Sequence, residues 1–131
     1  MTTLHNYLAR LQSTIASRRE IDVEEMEIRD NSDESDELSR FRAKLRFYDR
    51  SRLEALEDLI EEYYKIVKKH YSYHYQDENG DVIFRYDNAP HHPEISTHPH
   101  HKHTEGKILP TQSPDLSQVL KEIDEIIYKG Q

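Results

Sequence analysis

Histidine beside arginine and aspartate is the side-chain set that moves protons next to a phosphate, and this sequence gathers it in one stretch. Between Tyr71 and His103 lie seven of the nine histidines, with Arg85 and Asp87 among them. Near neutral pH an imidazole accepts a proton and an imidazolium donates one. A guanidinium grips phosphate through two parallel N–H bonds. RNA cleavage without a metal asks for a base on the 2′-hydroxyl, an acid for the leaving oxygen and a cation for the transition-state charge. His74, Arg85, Asp87, His91, His92 and His101 are the candidates for those roles, with Asn88 and His103 beside them to hold substrate. The plainer reading is an Arg85–Asp87 ion pair and surface histidines.

The same histidines read as metal ligands in a second way. Along an extended chain His-x-His points two rings to one side, which pairs His98 with His100 and His101 with His103. With Asp87 or Glu94 added, this alternative predicts a mononuclear zinc or manganese site, whereas the first reading needs no cofactor. No His-Glu-x-x-His helix pattern supports it. Glycine-loop chemistry is excluded more firmly, because Gly80, Gly106 and Gly130 are the only glycines and no phosphate-binding or dinucleotide motif can be built from them.

The elements that must position these side chains follow from patterning. Tyr71, Tyr73 and Tyr75 alternate up to Asn79-Gly80, and Val82, Phe84 and Tyr86 resume the alternation, which predicts a β-hairpin with a type I′ turn. The implied register sets Glu78 against Asp81, His74 against Arg85 and Ser72 against Asp87. One face is then aromatic and suited to a core, and the other carries Ser72, His74, Gln76, Ile83, Arg85 and Asp87. After Asn88 come all five prolines, Pro90, Pro93, Pro99, Pro110 and Pro114. That density predicts an irregular Pro/His-rich loop over residues 89–113.

Elsewhere the chain gives plainer signals. Leu4, Leu8, Leu11 and Ile15 predict an N-terminal helix capped by Thr2 or Thr3 and ending near Arg18. Ile21 to Arg29 reads as a strand in which Ile21 and Val23 disagree in parity with Met26 and Ile28, so a bulge is expected. Residues 31–38 form an acidic loop. Phe41, Ala43, Leu45 and Phe47 alternate with Arg40, Arg42, Lys44 and Arg46, which predicts a half-buried strand with a basic outer face. That face is either a solvated sheet surface or a stripe on which Arg42, Lys44 and Arg46 bind phosphate, with Lys102 as a further contact. Over residues 51–69 propensity favours a helix, with Ser51 and Glu54 as a capping box. We nevertheless expect a strand through about Asp58, resuming at Lys65. Ser113 and Pro114 open a final helix over residues 114–129, whose stripe is Leu116, Val119, Leu120, Ile123 and Ile127, with Gly130 beyond it.

Composition sets outer limits. The 131 residues suit one domain, 1–131, with 34% hydrophobic and 34% charged residues. No apolar run approaches about 20 residues and no leader pattern opens the chain, so neither membrane nor signal segment is expected and the predicted location is the cytoplasm. Cysteine is absent, which excludes disulfides and thiolate ligands. The formal charge of −8 argues against indiscriminate nucleic-acid binding. It conceals a segregation, since ten acidic residues lie between Glu20 and Glu37, directly before the basic run Arg40 to Arg52.

The strings Tyr71-Ser72-Tyr73-His74-Tyr75-Gln76-Asp77, Phe84-Arg85-Tyr86-Asp87-Asn88-Ala89-Pro90-His91-His92-Pro93-Glu94 and Pro99-His100-His101-Lys102-His103 resemble the TumE family of toxins. The likeness is close from Tyr71 to the last helix and general before it. It implies growth inhibition relieved by a partner antitoxin, expected to be a small helix-turn-helix protein. It also implies an α+β fold in which a mainly antiparallel sheet is flanked by an N-terminal and a C-terminal helix, here about five strands. Together these readings predict a toxin acting on RNA as a small metal-independent endoribonuclease. The alternatives are a non-enzymatic binding toxin and a His-rich metal-binding module, and self-association as a homodimer is open for each.

Overall fold

The computed structural model describes residues 3–33 and 37–129. The Thr2 cap, the Gly130 stop and residues 34–36 of the acidic loop lie outside them. Helix α1 spans Thr3–Ala16, followed by β1 Asp22–Arg29, β2 Ser39–Arg46, β3 Arg52–Glu62, β4 Lys65–Gln76, β5 Val82–Asp87, β6 His101–Thr104, β7 Lys107–Pro110 and helix α2 Leu116–Lys129. The strands form one antiparallel sheet in sequence order, β1 to β7. The class is α+β as expected, but the sheet has seven strands rather than five. Among the described residues no helix is long and apolar enough to cross a membrane.

The two extra strands come from the stretch expected to be irregular. Pro99 and Pro110 bracket a proline-free run in which Glu105 and Gly106 both adopt positive φ, 50° and 72°. These are the backbone angles of a two-residue hairpin turn. Prolines punctuate the ends of this hairpin instead of breaking it, as they do at strand ends and sheet edges.

Residues 52–62 are strand throughout, and β4 starts at Lys65 as expected. Leu53, Ala55, Glu57 and Leu59 all point to one face and are buried. Neighbours on both sides, β2 and β4, supply backbone partners. Tertiary pairing therefore overrides the helix propensity of the Glu/Leu-rich run. The bulge predicted in β1 falls at Glu24. It brings Val23 onto the parity of Met26 and Ile28.

The β4–β5 register is as read, with His74 opposite Arg85 and Ser72 opposite Asp87. Its turn differs from the type I′ expected. The Asp77 carbonyl accepts from Gly80 N–H at 3.0 Å, Gly80 alone carries positive φ, 89°, and the Asp77 carboxylate accepts from the Asn79 and Asp81 amides. This is a three-residue loop with glycine in the left-handed position. The extra residue is taken up by a bulge, so Gln76 pairs with Val82, which leaves the core face and is exposed. Helix α2 is capped by Asp115, not Ser113. The Gln118 amide donates to the Asp115 carboxylate at 2.8 Å and the Asp115 amide donates to Gln118 Oε1 at 2.9 Å, a reciprocal capping box.

Both helices cover one face of the sheet. Leu4, Leu8, Leu11 and Ile15 of α1 and Leu116, Val119, Leu120 and Ile123 of α2 pack on Phe41, Leu45, Leu53, Tyr73, Tyr75 and Phe84. Arg18, just after α1, joins Asp124 of α2 at 2.5 Å. Each core tyrosine hydroxyl finds a partner: Tyr73 donates to Glu57 at 2.6 Å, Tyr75 to Ser51 at 2.8 Å and Tyr86 to Glu122 at 2.6 Å. Glu57, fully buried, also accepts from Tyr7. Lys68 reaches the Tyr73 hydroxyl and the Pro114 carbonyl. With the helices on this side, the opposite face stays open, and the candidate chemistry lies there.

Candidate functional site

Cross-strand register lines up outer-face residues over the whole sheet. One row runs Glu25, Lys44, Glu54, His74, Arg85, His103, Ile108, and the next runs Glu27, Arg42, Leu56, Ser72, Asp87, His101, Pro110. At the β5–β7 end these rows floor an open groove of about 600 Å³. His74, Arg85, Asp87, His101 and His103 line it from the strands, and His91 and His92 from the chain that crosses back after β5. Thr104, Glu105, Lys107 and Ile108 form its outer wall.

Asp87 organises the groove. It is nearly buried, and its carboxylate accepts from Arg85 Nε at 3.0 Å, from the Ala89 amide at 3.0 Å and from His101 Nε2 at 3.0 Å. His101 is 2% exposed. Its Nδ1 lies 2.9 Å from the Pro99 carbonyl, which can only accept. Both ring nitrogens therefore face acceptors.

His103 Nε2 stands 3.8 Å from the second Asp87 oxygen. Burial pushes the His103 pKa below its ordinary value, and the neighbouring His101 lowers it further. At neutral pH His103 thus keeps a free lone pair. His92 packs edge-on against both rings, with centroids 5.0 Å from His101 and 5.7 Å from His103, and its Nδ1 is 3.4 Å from Glu94 Oε1.

Of the metal alternative, His98 and His100 stand apart from the other two histidines. His98 Nδ1 lies 3.2 Å from the His92 carbonyl, and His100 stacks on Tyr71 with its Nδ1 2.9 Å from that hydroxyl. His92, His101 and His103 do approach, with one nitrogen from each within 4.8 Å of the others. A shared ion would have to draw His101 away from Asp87 or Pro99, since both of its nitrogens already face acceptors.

Arg42, Lys44 and Arg46 share the open face with His74 and Arg85, but β2 lies three strand spacings from β5, about 14 Å. Each faces a carboxylate, Arg42 and Lys44 near Glu25 at 3.8 and 3.9 Å and Arg46 on Glu24 at 2.9 Å. Lys102 points the other way, to Glu122 of α2 at 2.6 Å. Asn88 clamps backbone: its side chain accepts from Tyr71 N–H at 3.0 Å and donates to the Lys69 carbonyl at 3.1 Å.

Sequence reasoning missed Lys107 and Ile108, which were hidden in the stretch expected to be loop. It also missed the contact of Glu94 with His92, for which the tripeptide His92-Pro93-Glu94 was the available signal. Among known proteins, a family model described as Toxin TumE matches residues 11–127. No curated protein and no solved structure matches the chain.

Proposed function

The chain belongs to the TumE family of toxins, which implies a cognate antitoxin, and on that premise we propose that its open-face groove cleaves RNA without a metal. The observation that carries the reading is the convergence of Arg85, His92, His101 and His103 around one buried carboxylate, Asp87. Neutral His103 takes the proton of a 2′-hydroxyl, whose oxygen attacks the adjacent phosphorus. His92, aligned by Glu94, returns a proton to the departing 5′-oxygen. Arg85, steered by Asp87, meets the charge that builds on the non-bridging oxygens, while His101 holds that carboxylate from its other side. The products are a 2′,3′-cyclic phosphate and a 5′-hydroxyl, so atoms and protons balance with no further reactant.

His74 and His91 line the groove and are proposed to hold the flanking nucleotides rather than react. Arg42, Lys44 and Arg46 offer a weaker track for more distant phosphates, because each is already near a carboxylate. The expected setting is the cytoplasm, and the expected partner is a small helix-turn-helix antitoxin.

The test is purified protein, prepared without a histidine tag, mixed with RNA in excess chelator. Cleavage leaving cyclic phosphate ends is expected, falling on the order of 100-fold or more in His103→Ala and in His92→Ala. Cleavage that vanishes with chelator, or that persists in the double variant, overturns the assignment.

A further inference from the structure

The two partners of His101 pose a question of charge. Its Nδ1 faces the Pro99 carbonyl at 2.9 Å and must bring a proton, so Nε2 meets the Asp87 carboxylate at 3.0 Å with a lone pair unless something positive stands between them. A second proton is one answer. A metal ion is the other, and the surroundings of His101 fit it.

Among the described residues, His92, His101 and His103 are the one trio of metal-ligating side chains whose ligand atoms gather, all within 4.8 Å of one another. Tetrahedral zinc holds its nitrogens about 3.3 Å apart, so closing the trio takes at most about 1.5 Å of ring movement. His92 belongs to no strand and can supply most of it. The groups behind these rings are those that orient ligating histidines: the Pro99 carbonyl on His101 Nδ1, and Glu94 at 3.4 Å from His92 Nδ1, which leave Nε2 of each ring for an ion. The fourth ligand is Asp87 Oδ1. The Ala89 amide steadies that oxygen and Arg85 holds the other one at 3.0 Å, as a ligating carboxylate is held from outside. Three imidazoles and one carboxylate make a closed zinc site, and the set is too rich in nitrogen for magnesium or calcium.

We propose that His92, His101, His103 and Asp87 bind a zinc ion that silences the groove. His101 turns so that the ion, rather than a carboxylate oxygen, meets its Nε2, and its contact with Pro99 is kept. The ion occupies the nitrogens by which His103 takes a proton and His92 returns one. With four protein ligands in place, no position remains for a water to be activated. The silencing rests on the RNA-cleaving reading, whereas the ion site does not.

Zinc chloride titrated into untagged protein, stripped with chelator and desalted, tests both. The imidazole NMR resonances of His92, His101 and His103 should shift with the first equivalent of zinc while those of His98 and His100 stay. Zinc that moves no imidazole, or that moves His98 and His100 instead, overturns the site. By calorimetry His103→Ala should bind zinc at least tenfold more weakly, and equal affinity overturns the site as well. The resonances are read on the parent protein, so the site is tested even where that variant does not fold. RNA cleavage should drop at least tenfold with zinc and return with chelator. Zinc at the site that leaves cleavage unchanged overturns the silencing, and zinc that raises cleavage refutes the metal-free chemistry with it. A protein that binds zinc there and cleaves no RNA in either state would refute the groove chemistry and leave the ion site standing.

Discussion

Asp87 is the residue on which the groove turns, because it satisfies a guanidinium, an imidazole and a backbone amide at once. Replacing it by Asn leaves His101 facing a group of no charge in a buried place, and should cost about 3 kcal/mol of stability. Urea midpoints of Asp87→Asn and the parent check this. The proposed base makes a pH prediction of definite sign. His103 must be neutral to accept a proton and its pKa is lowered. The rate should therefore hold its plateau down through the ordinary imidazole value of about 6.5 and fall only below it. A kcat/KM profile whose acid limb lies above that value would contradict the role. His74, Arg85, Asp87, His92 and His101 were legible in the sequence because the hairpin register and the run after Asn88 put them together. The surroundings of His103 were not, since they depend on a strand that the prolines masked.

At the scale of elements, the turn between β3 and β4 breaks the usual residue rules. Tyr63 and Tyr64 join β3 to β4 with φ of 51° and 64°, and they are 93% and 87% exposed. Bulky L-residues in the left-handed region carry about 1 kcal/mol of strain each or more. Tyr63→Asn with Tyr64→Gly should therefore stabilise the protein by about 1–2 kcal/mol, read as a higher melting temperature. Gly80 obeys the rule. A Cβ there meets nothing within 4 Å, so Gly80→Ala should lose only the conformational term, about 1 kcal/mol. The Asn79-Gly80 hairpin was readable because its turn chemistry agrees with its flanking alternation. Glu105-Gly106 carries the same kind of signal, but the histidines around it show no apolar alternation to announce strands. β3 was readable only against its propensity, since helical spacing of Leu53, Leu56 and Ile60 competes with pairing on both sides.

At the scale of the molecule, the tyrosine-rich core makes stability sensitive to alkali. Burial raises the pKa values of Tyr7, Tyr71, Tyr73, Tyr75 and Tyr86 above their ordinary value. The unfolded chain ionises near pH 10 while the folded one resists. The stabilisation is thus complete below that pH and is lost progressively above it. With the exposed Tyr48, Tyr63, Tyr64 and Tyr128 replaced by Phe so that they do not contribute, tyrosinate absorbance followed beside circular dichroism should rise only as structure disappears. Ionisation of the buried rings in a protein that keeps its dichroism would refute the account.

The sheet's strands lie side by side in chain order, and the helix that completes the core, α2, comes after all of them. During synthesis each strand can therefore zip onto the previous one as it emerges, but half of the apolar cover arrives last. A chain stopped before Leu116 should bind a hydrophobic dye and melt without cooperativity, and a sharp melt would refute this. The groove on the far face takes one wall from β7, so it is complete only once the last strand of the sheet has emerged and paired.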